Sequence, residues 1–352
     1  MENIRELKSR LDSHDMYGMI TAMPSHLEEG LELGLRVNLQ SLEKAAFHAV
    51  VIAGMGGSAI AGDIIRSYLV GQIEVPLYVC RHYRLPNFVN KRTLVICSSY
   101  SGETEETLSA YDDALLRGAN VIAIATGGKL AEKAALNEIP LIRITGGLPP
   151  RAALGYSVSS LLVILWRLGL CGDQCDNLRH AASAMKRWAV ECAPENENNP
   201  ALKLAREISG SIPIIYSGQD RLDAVATRFK GQLGENAKVL AFANVFPELS
   251  HNEIVGWDMF DDLGNKPSVV ILRDSQDHKR IKARMDIVAQ YLAERGVKVI
   301  NLESRGGSDL EKILYLVQLL DFASYYLALL GGVDPFPIPA ITFLKNRLSE
   351  IR

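Results

Sequence analysis

Residues 50–63 read VVIAGMGGSAIAGD. The apolar run ending at Ala53 passes into Gly54, Gly56 and Gly57, and Ser58 then opens a helix-like stretch, SAIAGDIIRSYL, that reaches Leu69. An unbroken apolar run bounded by glycines is the mark of a strand buried on both faces, the usual position in a parallel sheet. Glycine lets the backbone turn sharply and come close to a ligand. A helix that starts at such a turn points free amides and the positive end of its dipole at an anion.

The same plan extends outward. Apolar runs AVVIAG (49–54), VPLYVC (75–80), TLVICSS (93–99), NVIAIAT (120–126) and IPLIRIT (139–145) alternate with helical patterns, after a helical segment that ends near Lys44. The spacers SAIAGDIIRSYL and TEETLSAYDDALLRG each begin with Ser or Thr, which predicts N-caps at Ser58 and Thr104. A helix is expected over 152–168. The polar stretch CAPENENNP (192–200) then reads as a linker.

Beyond it come strand candidates IPIIYSG, KVLAFAN, PSVVILR and VKVINLE, with helices over 222–234, 278–294 and 308–330. IIYSGQDRLDAVATR repeats the strand, glycine turn and helix order of residues 50–63. The expected class is therefore α/β, with two tandem doubly wound parallel-sheet domains and flanking helices. Their bounds are 1–191 and 201–352. Pro-rich DPFPIP (334–339) reads as a rigid approach to a last helix.

A length of 352 residues suits two such units, and 48% hydrophobic with 22% charged residues suits a packed globular chain. A net charge of −3 gives no basic field for a nucleic acid. Cys80, Cys97, Cys171, Cys175 and Cys192 contain no CxxC pair, so neither metal nor disulfides are expected. The charged start MENIRELKSRLDSHD has no signal-peptide core, so a cytoplasmic location is expected. The run 313–332 is interrupted by Gln318, Asp321 and Ser324, which favours a buried or subunit-facing helix over a membrane span.

A second anion-binding candidate is CSSYSGET (97–104), which also follows a buried strand and opens a helix. Hydroxyls of Ser99, Ser101 and Thr104 can converge on phosphate oxygens together with helix-start amides. Thr104 as an ordinary cap, with solvated serines around it, is the plainer alternative. Residues 54–59 also fit the dinucleotide pattern GxGxxA, although the second strand ends in Cys80-Arg81-His82-Tyr83-Arg84 where an acidic ribose ligand is expected.

AGMGGSAIAGD followed by SSYSGETEET resembles the sugar isomerase (SIS) domain. PPRAAL (149–154) is similar to a signature of the bifunctional phosphoglucose/phosphomannose isomerases. That resemblance spans nearly the whole chain and implies two SIS domains in tandem. It also implies a phosphate pocket of Gly56, Gly57, Ser58, Ser99, Ser101 and Thr104, and aldose–ketose isomerisation of a hexose 6-phosphate without cofactor or metal. By the same resemblance the catalytic base is Glu235 in GENAK and the ring-opening acid/base is His251 in SHNE. Lys345 contacts a sugar oxygen or assists ring opening, and Arg151 secures the Glu235 carboxylate or stabilises enediolate charge.

The resemblance further implies a homodimer in which His251 enters the neighbouring subunit's site. Thr342 stands nearer to Lys345 than the family's mannose-accommodating hydroxyl, so glucose and fructose 6-phosphate are the first substrates implied and mannose 6-phosphate an extension. A phosphosugar-sensing protein without catalysis, and an isomerase of another sugar phosphate, remain as alternatives.

Overall fold

The computed structural model describes residues 3–43, 45–258 and 267–351. Three helices lead in: α1 (Ile4–Leu11), α2 (Met16–Thr21) and α3 (Met23–Arg36). The first sheet and its helices follow as β1 (Ala49–Ala53), α4 (Gly56–Leu69), β2 (Leu77–Cys80), β3 (Thr93–Ser98), α5 (Glu105–Leu116), β4 (Asn120–Ala125), α6 (Gly128–Leu136) and β5 (Leu141–Arg143). A 3-10 turn at Pro150–Ala152 leads to α7 (Leu154–Arg167) and then α8 (Cys175–Glu191).

The second unit runs α9 (Pro200–Ile208), β6 (Ile212–Gly218), α10 (Asp223–Gln232), a single π-helical turn at Leu233–Ala237, and β7 (Phe242–Phe246). A 3-10 turn at Glu248–His251 and the one-turn α11 (Glu253–Gly256) precede β8 (Pro267–Arg273), α12 (Lys279–Glu294), β9 (Lys298–Glu303), α13 (Asp309–Leu330) and α14 (Pro339–Ser349).

Both sheets are wholly parallel, with strand orders β2-β1-β3-β4-β5 and β7-β6-β8-β9. The expected doubly wound architecture is thus present twice. Alternation along each strand feeds two faces: Val50, Ile52, Leu94 and Ile96 enter one core, while Val51, Val95 and Cys97 enter another across the sheet. β1 has neighbours on both sides, as does β6, so a crevice opens beyond the carboxyl end of each, where ligands of open α/β sheets bind.

α13 is long and apolar enough to span a membrane by length and composition, yet 94% of its apolar window is buried inside the protein. It packs against α8, α9, α10, α1 and α2, so the leading helices touch the second unit as well. Tyr325 Oη donates to Asp12 Oδ2 at 2.9 Å, and Tyr326 Oη donates to the Cys192 carbonyl at 2.5 Å. Asn199 caps α9 by accepting from Leu202 N at 2.9 Å, so the 192–200 segment is packed rather than loose.

Two elements differ from the sequence expectation. α4 starts at Gly56 with Met55 at its cap, so Ser58 lies inside the first turn and is not an N-cap. The strand expected over 238–244 begins only at Phe242, because Lys238 adopts a left-handed φ of 59° that closes the π turn.

His26 of α3 is buried and stacks on Tyr156 of α7 at 4.7 Å, with no partner on Nδ1 among the described residues. Burial pushes its pKa below the ordinary imidazole value, opposed by Glu29 and the Ala152 backbone. The unfolded chain therefore takes up this proton first as pH falls, and folding stability drops through the unfolded value of about 6.5 until the folded imidazole also protonates. Unfolding measured across pH 5–7.5 should show a drop toward acid that His26→Phe reduces.

Candidate functional site

The first loop is held against two other segments by its lack of side chains. A Cβ on Gly54 would stand 2.7 Å from the Ser98 carbonyl oxygen, and one on Gly57 would stand 2.6 Å from that of Pro150. Gly56 has a φ of +49°. The start of α4 thus lies directly beside the end of β3 and beside the turn that carries Arg151. Ser58 is buried there at the helix start.

In the second loop Ser99 is buried, accepts from Gly102 N at 3.1 Å and shares a 2.9 Å hydrogen bond with Thr104 Oγ1. Ser101 Oγ accepts from Glu103 N at 3.2 Å and is exposed. Thr104 occupies the cap position of α5 but makes no capping bond with its side chain, so the plain capping alternative fails. The first amides of α5 remain for an anion. Tyr100 Oη donates to the Thr145 carbonyl at 3.1 Å and accepts from Leu148 N at 2.9 Å, which leads the chain toward Pro149.

Gly102, at φ +72°, has no room for a side chain, since its Cβ would lie 1.9 Å from the Gly127 carbonyl oxygen. Gly102→Ala should displace the hydroxyl loop. Loss of one or two charge-assisted hydrogen bonds, about 1.5–3 kcal/mol each, should weaken the binding of a phosphate anion at least about tenfold. Calorimetric titration with phosphate would show this.

The crevice of the second sheet is filled from within. Arg221 donates to Asp274 Oδ1 at 2.8 Å and Asp309 Oδ1 at 2.9 Å, and Asp277 Oδ1 stands 2.7 Å from where a Gly218 Cβ would be. Carboxylates occupy the place that hydroxyls and free amides hold in the first sheet.

Glu235 sits in the π turn, its side chain one-third exposed, and Arg151 Nη1 lies 3.5 Å from its Oε2. Arg151 is only 3% exposed, with Nε donating to Asn236 Oδ1 at 2.7 Å and Nη2 donating to the carbonyls of Pro335 and Phe336 at 2.9 and 2.7 Å. It is therefore no ordinary surface arginine. Lys238 closes the turn by donating Nζ to the carbonyls of Glu235, Asn236 and Asp334 at 2.8, 3.1 and 3.0 Å.

Burial lowers the pKa of Arg151, with Arg228 adding to the fall and Glu235 opposing it. Burial likewise lowers that of Lys238, and the Arg151 charge reinforces the shift. One partly desolvated cation thus faces the Glu235 carboxylate, and a second holds the backbone of the same turn. Such a place favours negative charge that develops on a bound substrate.

His251 and Lys345 are exposed, and among the described residues neither forms a hydrogen bond or ion pair with Glu235 or Arg151. All of α14 lies open, with Phe343 66% exposed and Leu344 57%. Among the described residues no group of three or more His, Cys, Asp or Glu could hold a metal. Arg81, at the end of the second strand where the dinucleotide pattern expects an acidic residue, is paired with Asp63. All five cysteines are free thiols.

Over residues 197–348 the chain matches the family described as the bacterial phospho-glucose isomerase C-terminal SIS domain. It is 40% identical over 339 residues to a bifunctional phosphoglucose/phosphomannose isomerase of Caldicellulosiruptor bescii, covering 96% of this chain and 100% of that one. The chain belongs to the bifunctional phosphoglucose/phosphomannose isomerase family. A second member, from Aquifex aeolicus, is 37% identical over 86% of this chain and 91% of its own.

The fold of the family is shared with more distant structures. A hypothetical protein of Thermus thermophilus superposes with a TM-score of 0.77 at 18% identity, covering 99% of this chain and 93% of that one. The tagatose-6-phosphate ketose/aldose isomerase of Escherichia coli gives 0.69 at 15% identity, covering 92% and 95%.

Sequence reasoning missed Asn236, Lys238, Arg228, Asp321 and Ser324, which hold Arg151 and the π turn. One signal pointed to two of them. Asp321 and Ser324 interrupt an apolar helix that is otherwise suited to full burial, and a buried polar side chain needs a partner.

Proposed function

We propose that the protein interconverts glucose 6-phosphate and fructose 6-phosphate, and accepts mannose 6-phosphate at the same site. The observation that carries this reading is the Glu235 carboxylate standing 3.5 Å from the buried Arg151 guanidinium, on the turn that packs against the Gly57 phosphate loop. The phosphate is held by the amides at Gly56, Gly57 and Ser58 and by Ser99, Ser101 and Thr104. The sugar then extends toward the Pro150–Ala152 turn. Its phosphate end belongs to the 1–191 unit, and its reacting end lies where Arg151 of that unit meets Glu235 of the 201–352 unit.

Glu235 takes the C2 proton of the open-chain aldose to give a cis-enediolate, O1 takes up the proton that the O2 hydroxyl gives up, and Glu235 returns its proton to C1 to form the ketose. Arg151 Nη1 and the Lys238 charge stabilise the enediolate oxygens. Mannose 6-phosphate differs from glucose 6-phosphate only in configuration at C2, which the enediol loses. One intermediate therefore serves all three sugars.

His251 opens the ring by protonating O5, and a second copy of the chain delivers it. This is supported by the absence, among the described residues, of any polar contact of His251 or Lys345 with Glu235 or Arg151, and by the uncovered apolar residues Ile341, Phe343 and Leu344 of α14. Leu240, Phe242 and Val255 flank His251 in sequence and are also more than half exposed.

The test is a coupled assay in which purified protein converts fructose 6-phosphate to glucose 6-phosphate, run alongside sedimentation. Turnover by a dimer is expected. Binding without turnover would leave a phosphosugar sensor, and turnover by a monomer would remove the shared-site reading.

A further inference from the structure

Arg151 is held at both its ends by one buried circuit. Its carbonyl accepts from Arg228 Nη2 at 2.9 Å, and the same nitrogen donates to Asp321 Oδ2 at 2.6 Å. The Asp321 carbonyl accepts from Ser324 Oγ at 2.7 Å, and Ser324 Oγ accepts from Asn236 Nδ2 at 2.9 Å. Asn236 Oδ1 then accepts from Arg151 Nε at 2.7 Å, which closes the ring. Arg151, Arg228, Asn236, Asp321 and Ser324 are all at most 5% exposed.

The circuit has one consistent direction. Ser324 spends its proton on the Asp321 carbonyl, so only its lone pair faces Asn236, and the amide must present its NH2 there and its oxygen to Arg151. With Nε fixed and Nη2 committed to the Pro335 and Phe336 carbonyls, the guanidinium plane cannot rotate. Nη1 is the nitrogen left toward Glu235. The ring ties the 3-10 turn of the first unit to α10, the π turn and α13 of the second.

We infer that Ser324 and the Arg228–Asp321 pair are positioning residues for the isomerisation, which set the guanidinium of Arg151 against Glu235 through this closed ring. The inference rests on the activity proposed above. Neither Ser324 nor Asp321 touches substrate, and a misplacement of about 1 Å at a reacting group costs on the order of 100-fold in rate. Gln232 provides an internal comparison, because its Nε2 donates to Asp321 Oδ1 at 2.9 Å from outside the ring.

The experiment measures kcat, KM and urea midpoints for fructose 6-phosphate turnover by the wild-type protein and by Ser324→Ala, Ser324→Thr, Gln232→Met, Arg151→Lys and the Arg151→Lys/Ser324→Ala double. An active wild type is the precondition, and an inactive one would sink the functional reading without touching the ring. Ser324→Ala should lower kcat about tenfold with KM nearly constant, and Ser324→Thr should restore it. In Arg151→Lys, which has no Nε to receive the relay, Ser324→Ala should add no further loss.

Gln232→Met should lower the midpoint yet keep kcat near wild type. The inference is overturned by wild-type kcat in Ser324→Ala, by equal fold-losses in the two backgrounds, or by a kcat loss in Gln232→Met that matches Ser324→Ala. Should Ser324→Ala fail to fold, the contrast between Gln232→Met and Ser324→Thr with an Asn236→Asp variant, whose carboxylate still accepts from Arg151 Nε, carries the test. Wild-type kcat in Asn236→Asp, which no longer donates to Ser324, would then overturn it.

Discussion

Glu235→Gln should lower kcat by about 10²–10⁴-fold, the usual contribution of a positioned general base, while KM and the affinity for fructose 6-phosphate change little. The amide keeps the volume and planar shape of the carboxylate, so the π turn and the Lys238 contacts to main-chain carbonyls of Glu235 and Asn236 persist. It cannot accept a carbon-bound proton at neutral pH. Phosphate binding depends on loops of the other unit, so calorimetric binding of fructose 6-phosphate should survive when turnover does not.

Stability should hardly move, since among the described residues the Glu235 side chain makes one polar contact, at 3.5 Å, and is about one-third exposed. A residual kcat within a few-fold of wild type would remove Glu235 from the proton transfer. Loss of binding together with loss of turnover would instead make it a substrate ligand. The split between kcat and binding therefore separates chemistry from grip.

The glycine turns made the grip legible from sequence. Gly54, Gly57 and Gly102 are required because backbone passes within 2.7 Å of where their side chains would stand, and that close approach leaves a local pattern of glycines after apolar runs. Both parallel sheets followed from the alternation of buried runs with helices, since a run apolar on both faces has one common home.

The reacting end was less legible, because its parts meet from distant stretches of the chain. Arg151 and Asn236 are 85 residues apart, and Arg228 and Asp321 are 93 apart. No local period records such pairings. Lys238 shows the same limit on a smaller scale: KVLAFAN reads as strand from its apolar alternation, yet the ammonium is drawn back to three carbonyls, and the left-handed backbone there delays the strand to Phe242. Local propensity gave way to tertiary hydrogen bonding.

Asp321→Ala should be the most destabilising of the single changes, costing about 3–5 kcal/mol as expected when one partner of a buried ion pair is removed. Asp321 is 1% exposed and Arg228 5%, and their bidentate contact at 2.6 and 3.0 Å is lost with the carboxylate, which leaves a buried guanidinium without its counter-charge. Gln232 loses its acceptor as well. Urea unfolding should shift to a lower midpoint at unchanged slope.

The triple change Arg228→Met/Gln232→Met/Asp321→Leu removes the carboxylate together with both side chains that donate to it. Apolar replacement of a buried ion pair is often neutral or stabilising, so most of the lost stability should return. Activity should not return with it, because the Arg151 carbonyl has lost the Arg228 donor that anchored its turn to the second unit. Stability recovered without kcat would assign the pair to geometry at Arg151. Recovery of both would mean that the ion pair serves folding alone, and that Arg151 keeps its place through Asn236 and the Pro335 and Phe336 carbonyls without it.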